Sequence, residues 1–160
     1  MNSCVFPGSF DPVTRGHFDL ISRAAGIFDR VTVTVMVNIR KKSSIPAEQR
    51  VMLIRKACAS LPNVSVDSWD GLLVDYLRQR NEHVVIRGIR NGNECEQEIL
   101  TLSANRLLYK GIETLFIPCS PGLAGVSSSA VREIAAFGGD ISPFVPRGMT
   151  EEINSLLSNR

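Results

Sequence analysis

The chain has 160 residues, 44% of them hydrophobic, and a formal net charge of +2. That length supports one domain around one well-buried core. The charge is too small to argue for bulk nucleic-acid binding, and no apolar run is long enough to span a bilayer. Cys4, Cys58, Cys95 and Cys119 stand apart with no Cys-x-x-Cys pair, which speaks against zinc or a disulfide framework and fits a reducing cytoplasm.

Met1-Asn2-Ser3 carries no basic region, so no secretory signal is expected. Cys4-Val5-Phe6 is a short apolar run that predicts a first strand. The stretch from Phe6 to His17 follows, with Gly8 and Gly16 placed to let backbone approach a ligand. It feeds an amphipathic helix with Phe18, Leu20, Ile21, Ala24, Ala25 and Phe28 inward. Strand, glycine-containing loop and helix N-terminus in that order suit an anion, and His17 falls in the first helical turn. The loop is neither a Walker A loop nor the Gly-x-Gly-x-x-Gly fingerprint.

Arg30 to Val37, nearly all β-branched, predicts a strand buried on both faces. A polar basic loop with Lys41 and Lys42 follows. Pro46 opens a helix with Val51, Ile54, Cys58 and Leu61 on one face. Val64-Ser65-Val66 is a third strand, and Gly71 to Arg80 a helix with Leu73, Tyr76 and Leu77 inward. His83 to Ile86 predicts a fourth strand, ending before Arg87-Gly88-Ile89-Arg90. Glu94 to Lys110 is the longest helix, with Leu100, Ala104, Leu107 and Leu108 on one face and Gly111 as its stop. Thr114 to Ile117 is the fifth strand. Ser127-Ser128-Ser129 opens a helix through Phe137, and a short final helix within about 147–158 serves as a latch or contact element on the single domain, 1–160.

Strands alternate with helices throughout. The expected fold is α/β: a Rossmann-like, doubly wound five-stranded parallel sheet with helices on both faces. Ligands of such sheets bind beyond the carboxyl ends of the strands. Those ends carry the glycine loop with Ser9 and His17, then Lys41 and Lys42, the apolar Leu72 and Leu73, Arg87 and Arg90, and finally the serine run. Three of the five bring positive charge or imidazole to one edge. Each piece also has an ordinary structural explanation, from solvated lysines to a generous N-cap; the convergence makes the case.

Gly8-Ser9-Phe10-Asp11-Pro12 with Thr14-Arg15-Gly16-His17 resembles the signature of the nucleotidyltransferase superfamily, in the variant with threonine at the first histidine position. Arg87-Gly88-Ile89-Arg90 and Val126-Ser127-Ser128-Ser129-Ala130-Val131-Arg132-Glu133 resemble further motifs of its phosphopantetheine adenylyltransferase branch. Lys41 stands at the position of that family's loop lysine, and Glu48-Gln49-Arg50 opens the helix after it. The resemblance implies ATP contacts from Ser9, Phe10, His17, Gly88, Ile89, Arg90, Glu98 and the segment Leu123, Ala124, Gly125, Val126, Ser127, Ser128 and Ser129. It implies phosphopantetheine contacts from Ser9, Lys41, Leu73 and Arg87, catalysis by His17, Lys41 and Arg90, magnesium arriving with ATP, and a homohexamer, with coenzyme A as a feedback ligand. Asn91 to Gln97 lacks the aromatics often found there in the family.

The chemistry this implies needs no general base, because a phosphomonoester acceptor is already anionic. It needs two polyanions aligned and the developing charge stabilised. Lys41 and Arg87 would hold the acceptor phosphate, His17 would donate to the α-phosphate, and Arg90 with the serine run would hold the β- and γ-phosphates. Transfer to nicotinamide mononucleotide or glycerol phosphate, a non-catalytic nucleotide sensor and a dehydrogenase are the competing functions. The Arg-Gly-Ile-Arg and serine motifs, the retained His17 and Lys41, and the absent dinucleotide fingerprint speak against them.

Overall fold

A computed structural model describes residues 2–37 and 42–158. Five parallel strands form one sheet in the order β3-β2-β1-β4-β5: β1 is Ser3–Gly8, β2 Arg30–Met36, β3 Val64–Trp69, β4 Val84–Ile89 and β5 Glu113–Pro118. The connecting helices are α1 (Arg15–Ala25), α2 (Ala47–Ala57), α3 (Leu73–Arg80) and α4 (Gly92–Leu108), with α5 (Ser128–Ala136) and α6 (Thr150–Ser158) after the last strand. The chain reverses its winding between β1 and β4, and that switch point opens a crevice at the carboxyl edge. The two strands share one register pair, Val5 opposite Val85. Pro7 has no N–H to give a ladder, and its carbonyl accepts from Arg87 Nη1 at 2.7 Å instead.

The core lies mainly on one face. Phe6, Val31, Val33, Val35 and Ile86 meet Leu20 and Ile21 of α1, Leu53 and Ile54 of α2, Val131 of α5 and Ile153 of α6. Each such side chain contributes about 1.5–3 kcal/mol by leaving water. On the other face Val5 and Val85 meet Tyr76, Leu77 and Ile112. α6 buries Ile153 completely, and its Glu152 accepts from Lys56 Nζ of α2 at 2.5 Å.

Several boundaries differ from expectation. β1 runs on through Pro7 and Gly8, and β4 takes in Arg87, Gly88 and Ile89, because ladder pairing continues past the apolar run: Arg87 lies opposite Phe116 and Ile89 opposite Pro118. α3 begins at Leu73, not Gly71. α4 starts at Gly92, where Asn91 caps it by accepting from the Glu94 N–H at 2.9 Å, and ends at Leu108 with Tyr109 as C-cap in place of Gly111. α4 has no buried residue, and Leu100, Leu107 and Leu108 are 65%, 85% and 52% exposed.

Candidate active site

The crevice holds a cavity of about 810 Å³. Most of the anticipated residues line it: Ser9, Phe10, His17, Leu73, Arg87, Gly88, Ile89, Arg90, Glu98, Leu123, Val126, Ser127, Ser128 and Ser129. Ala124 and Gly125 lie on the same loop but do not face the cavity, and Leu72, expected beside Leu73, is 60% exposed and turned away from it. Lys41 falls outside the described residues; Lys42 lines the wall.

His17 is the third residue of α1 and closes a reciprocal cap with Thr14. The His17 N–H donates to Thr14 Oγ1 at 3.3 Å, and the Thr14 N–H donates to His17 Nδ1 at 3.1 Å. Histidine thus occupies the place that Glu or Gln takes in a capping box. Since Nδ1 accepts from a main-chain N–H, the ring proton resides on Nε2. Burial, then the positive charges of Arg90 and Arg87, lower the imidazole pKa from 6.5 to about 4. The side chain is therefore a neutral donor, oriented by a main-chain amide and not by a carboxylate.

Phe10 supports this ring. It is 1% exposed, lies edge-on to His17 with centroids 4.9 Å apart, and packs edge-on against Phe6 at 5.6 Å. With φ of 48° it sits in the left-handed region, a strained conformation for an aromatic residue that the surrounding packing holds. Gly8 serves that packing: a Cβ there would come within 2.9 Å of the Phe10 ring. Gly8 also lines the cavity. At Gly16 a Cβ would find only ordinary protein contacts, the nearest at 3.6 Å, and this glycine too lines the cavity. Gly88 has a cause similar to that of Gly8, since a Cβ there would overlap the Leu20 Cδ1 methyl, which would have to move.

The two cationic side chains on β4 and just after it are each paired with α4. Arg87 donates from Nε and Nη2 to Glu98 at 2.7 and 2.5 Å and from Nη1 to Pro7, which leaves two of its five N–H donors. Arg90 donates from Nε and Nη2 to Glu94, whose carboxylate also accepts the Arg90 main-chain N–H at 2.8 Å. The Arg90 pairing holds the Glu94 carboxyl below its usual range. Glu94 escaped the sequence argument, although its position four residues after Arg90, at the start of a helix, signalled the pair.

The serines are not equivalent. Ser127 Oγ accepts from the Ala130 N–H at 3.1 Å as N-cap of α5, and Ser129 Oγ accepts from Arg132 Nη2 at 3.1 Å, so both hydroxyls keep a proton to donate. Ser128 spends its proton on the Pro12 carbonyl at 2.7 Å. Its hydroxyl is thereby removed from the expected phosphate donors, because a phosphate only accepts. Arg132 adds a 2.5 Å bond from Nη1 to the Asp11 carbonyl. This leaves the glycine loop pinned by side chains from α2, α5 and β4, with Nε2 of His17, the free donors of Arg87 and Arg90, and the Ser127 and Ser129 hydroxyls around one cavity. Such an arrangement can hold two phosphorylated molecules at once. Among the described residues no three His, Cys, Asp or Glu side chains form a metal cluster, and no helix is long and apolar enough to cross a membrane.

Residues 5–134 match the family model described as cytidylyltransferase-like. The chain is 46% identical over 158 residues to the phosphopantetheine adenylyltransferase of Rubrobacter xylanophilus, covering 99% of this chain and 96% of that one. It is 44% identical over 155 residues to that of Clostridium perfringens, with 97% and 94% covered, and 42% identical over 160 residues to that of Streptomyces coelicolor, with both chains covered entirely. A solved structure from Vibrio parahaemolyticus, provisionally named a nicotinate-nucleotide adenylyltransferase, superposes with a TM-score of 0.68 at 16% identity, over 99% of this chain and 93% of that one, and shares the fold. The chain belongs to the phosphopantetheine adenylyltransferase family of the nucleotidyltransferase superfamily and is a nucleotidyltransferase.

Proposed function

We propose that this chain transfers the adenylyl group of ATP to 4'-phosphopantetheine, giving dephospho-coenzyme A and pyrophosphate, as a step of coenzyme A biosynthesis in the cytoplasm. The observation that carries the proposal is His17: a neutral imidazole with its proton on Nε2, lining one cavity with Arg87 and Arg90 at the switch point of the sheet. The acceptor phosphate oxygen attacks the α-phosphorus, the bond to the β-phosphate bridging oxygen breaks, and the electron pair leaves with pyrophosphate. His17 Nε2–H donates to an α-phosphate oxygen as charge builds. Arg90 and the Ser127 and Ser129 hydroxyls hold the β- and γ-phosphates. Arg87 holds the acceptor phosphate with its two remaining donors, joined by Lys41, whose part rests on the family resemblance. Leu73 and Leu102 supply an apolar wall for the pantetheine arm.

The transfer is direct. The free lone pair of the His17 ring is on Nδ1 and is engaged by the Thr14 N–H, while Nε2 carries a proton, so neither nitrogen is poised to attack phosphorus. ATP enters as its magnesium complex. Glu94 and Glu98 are both held by arginines, so the ion would keep triphosphate oxygens and water as ligands and would neutralise charge on the departing pyrophosphate. Coenzyme A, which carries the product's pantetheine and adenosine parts, would compete for the same cavity as a feedback ligand. The exposed leucines of α4 supply the contact surface of a homohexamer.

Pyrophosphate release decides the substrate. ATP or CTP is offered with phosphopantetheine, nicotinamide mononucleotide or glycerol phosphate; only ATP with phosphopantetheine should react, and turnover confined to another pair would overturn the proposal. An α-phosphorus made chiral with isotopes should invert. Retention, or an adenylyl group trapped on His17 with ATP alone, would reject direct transfer and leave the substrates standing.

A further inference from the structure

Two buried charges on the wall of the same cavity have no role in the chemistry proposed above. Asp11 is 8% exposed and Arg50 is 2% exposed. Burial of charge is costly, and apolar side chains of similar volume would serve the fold as well. Among the described residues, the bonds these two side chains make go to main chain or loop side chain on two neighbouring segments. The Asp11 carboxylate, in the loop after β1, accepts the Ser44 N–H at 2.7 Å and the Ile45 N–H at 2.8 Å, both in the segment after β2. Arg50, on α2, donates back to both: from Nε to the Ile45 carbonyl at 2.9 Å, from Nη2 to Ser43 Oγ at 3.4 Å and from Nη1 to the Ser9 carbonyl at 2.6 Å. Ser9 lies on one of these segments and Lys42 on the other, and both line the cavity.

We propose that Asp11 and Arg50 are positioning residues. They lock the segment bearing Ser9 to the segment bearing Lys42 and so set the separation at which the two anionic substrates meet. The inference rests on the adenylyl-transfer reading and adds to it. Reacting atoms must approach within about 3–3.5 Å, and a misplacement of about 1 Å can cost on the order of 10²-fold in rate. A lock of this kind acts on the alignment of two bound substrates and leaves the binding of either alone nearly untouched.

The test uses the full chain with Arg50→Lys, Arg50→Met and Asp11→Asn. For each variant, melting temperature, kcat for pyrophosphate release, and calorimetric Kd for ATP alone and phosphopantetheine alone are measured. Variants folded at the assay temperature should lose about 10- to 100-fold in kcat, with each separate Kd within about threefold of the wild type, a small change against that loss. Asp11→Asn keeps its shape and one acceptor oxygen, so it decides the matter if the Arg50 variants fail to fold. Wild-type kcat in folded variants would overturn the inference. So would a fall in kcat/KM matched by lost affinity for one substrate. If the wild type itself does not use phosphopantetheine, the substrate proposal has failed instead, and the same comparison is made with the acceptor it does use.

Discussion

The two faces of the sheet are finished to different degrees. One carries α1, α2, α5 and α6 on a continuous core in which Ile21, Ile54, Val131 and Ile153 are fully buried. The other carries α3 and α4, and α4, the longest helix at 17 residues, has no fully buried residue. β5 likewise has no buried residue, with Leu115 at 48% exposure. The finished face anchors the loop that carries Ser9 and Phe10 and the helix α1 that carries His17. The open side supplies Glu94 and Glu98, which reach the site through ion pairs with arginines and not through packing. Packed support is thus placed behind the proposed transition-state donor, and an exposed apolar helix face behind the arginines.

The sharpest way to break this contrast is to delete the same kind of side chain on each side. Ile54→Ala should destabilise the chain by about 2–5 kcal/mol in urea unfolding, because the densely packed face cannot collapse around the void. A change below 1 kcal/mol would mean that this face is less solid than it looks. Next in size is His17→Ala. It should lower kcat by roughly 10²–10³-fold, the usual loss for a transition-state donor, with ATP affinity little changed. Lost affinity with kcat intact would move His17 to ground-state binding.

The same residue makes a pH prediction. The unfolded imidazole gains a proton below pH 6.5, whereas the folded one stays neutral to about pH 4. The unfolded state therefore binds more protons across that window, and stability falls as pH drops through it. The ring keeps partial contact with the cavity, so the loss should be on the order of 2–3 kcal/mol rather than the full value of the shift. Unfolding measured from pH 7 to 4 should show this slope in the wild type and a shallower one in His17→Gln; parallel curves would reject it. The smallest effect belongs to the open side. Leu107→Ala should change the stability of a dilute chain by no more than about 0.5 kcal/mol, yet weaken self-association in sedimentation velocity. Unchanged association would exclude this part of α4 from the contact.

Much of the site was legible beforehand because its residues follow strands directly. Parallel alternation of strand and helix delivers every strand's carboxyl end to one edge, so Ser9, His17, Arg87, Arg90 and the serine run could be assembled by counting elements alone. Asp11 and Arg50 could not be assigned this way. Their bonds go to main-chain groups of segments remote in sequence, and a main-chain partner leaves no mark on the residue type it uses. The exposure of the α4 leucines was not legible for a related reason: helical spacing reports that a face is apolar, not whether anything packs against it.

What the sequence determined by itself was the order of elements, the parallel sheet, and the chemistry gathered at its edge, since periodicity and motif spacing are local properties carried along the chain. Tertiary structure alone decided which atoms remain free to act. It set the tautomer of His17, took the Ser128 hydroxyl out of the donor set, tied Arg87 to Glu98, and left α4 uncovered. These are outcomes of competition for hydrogen-bond partners and packing space, and such competition is settled only when distant segments meet.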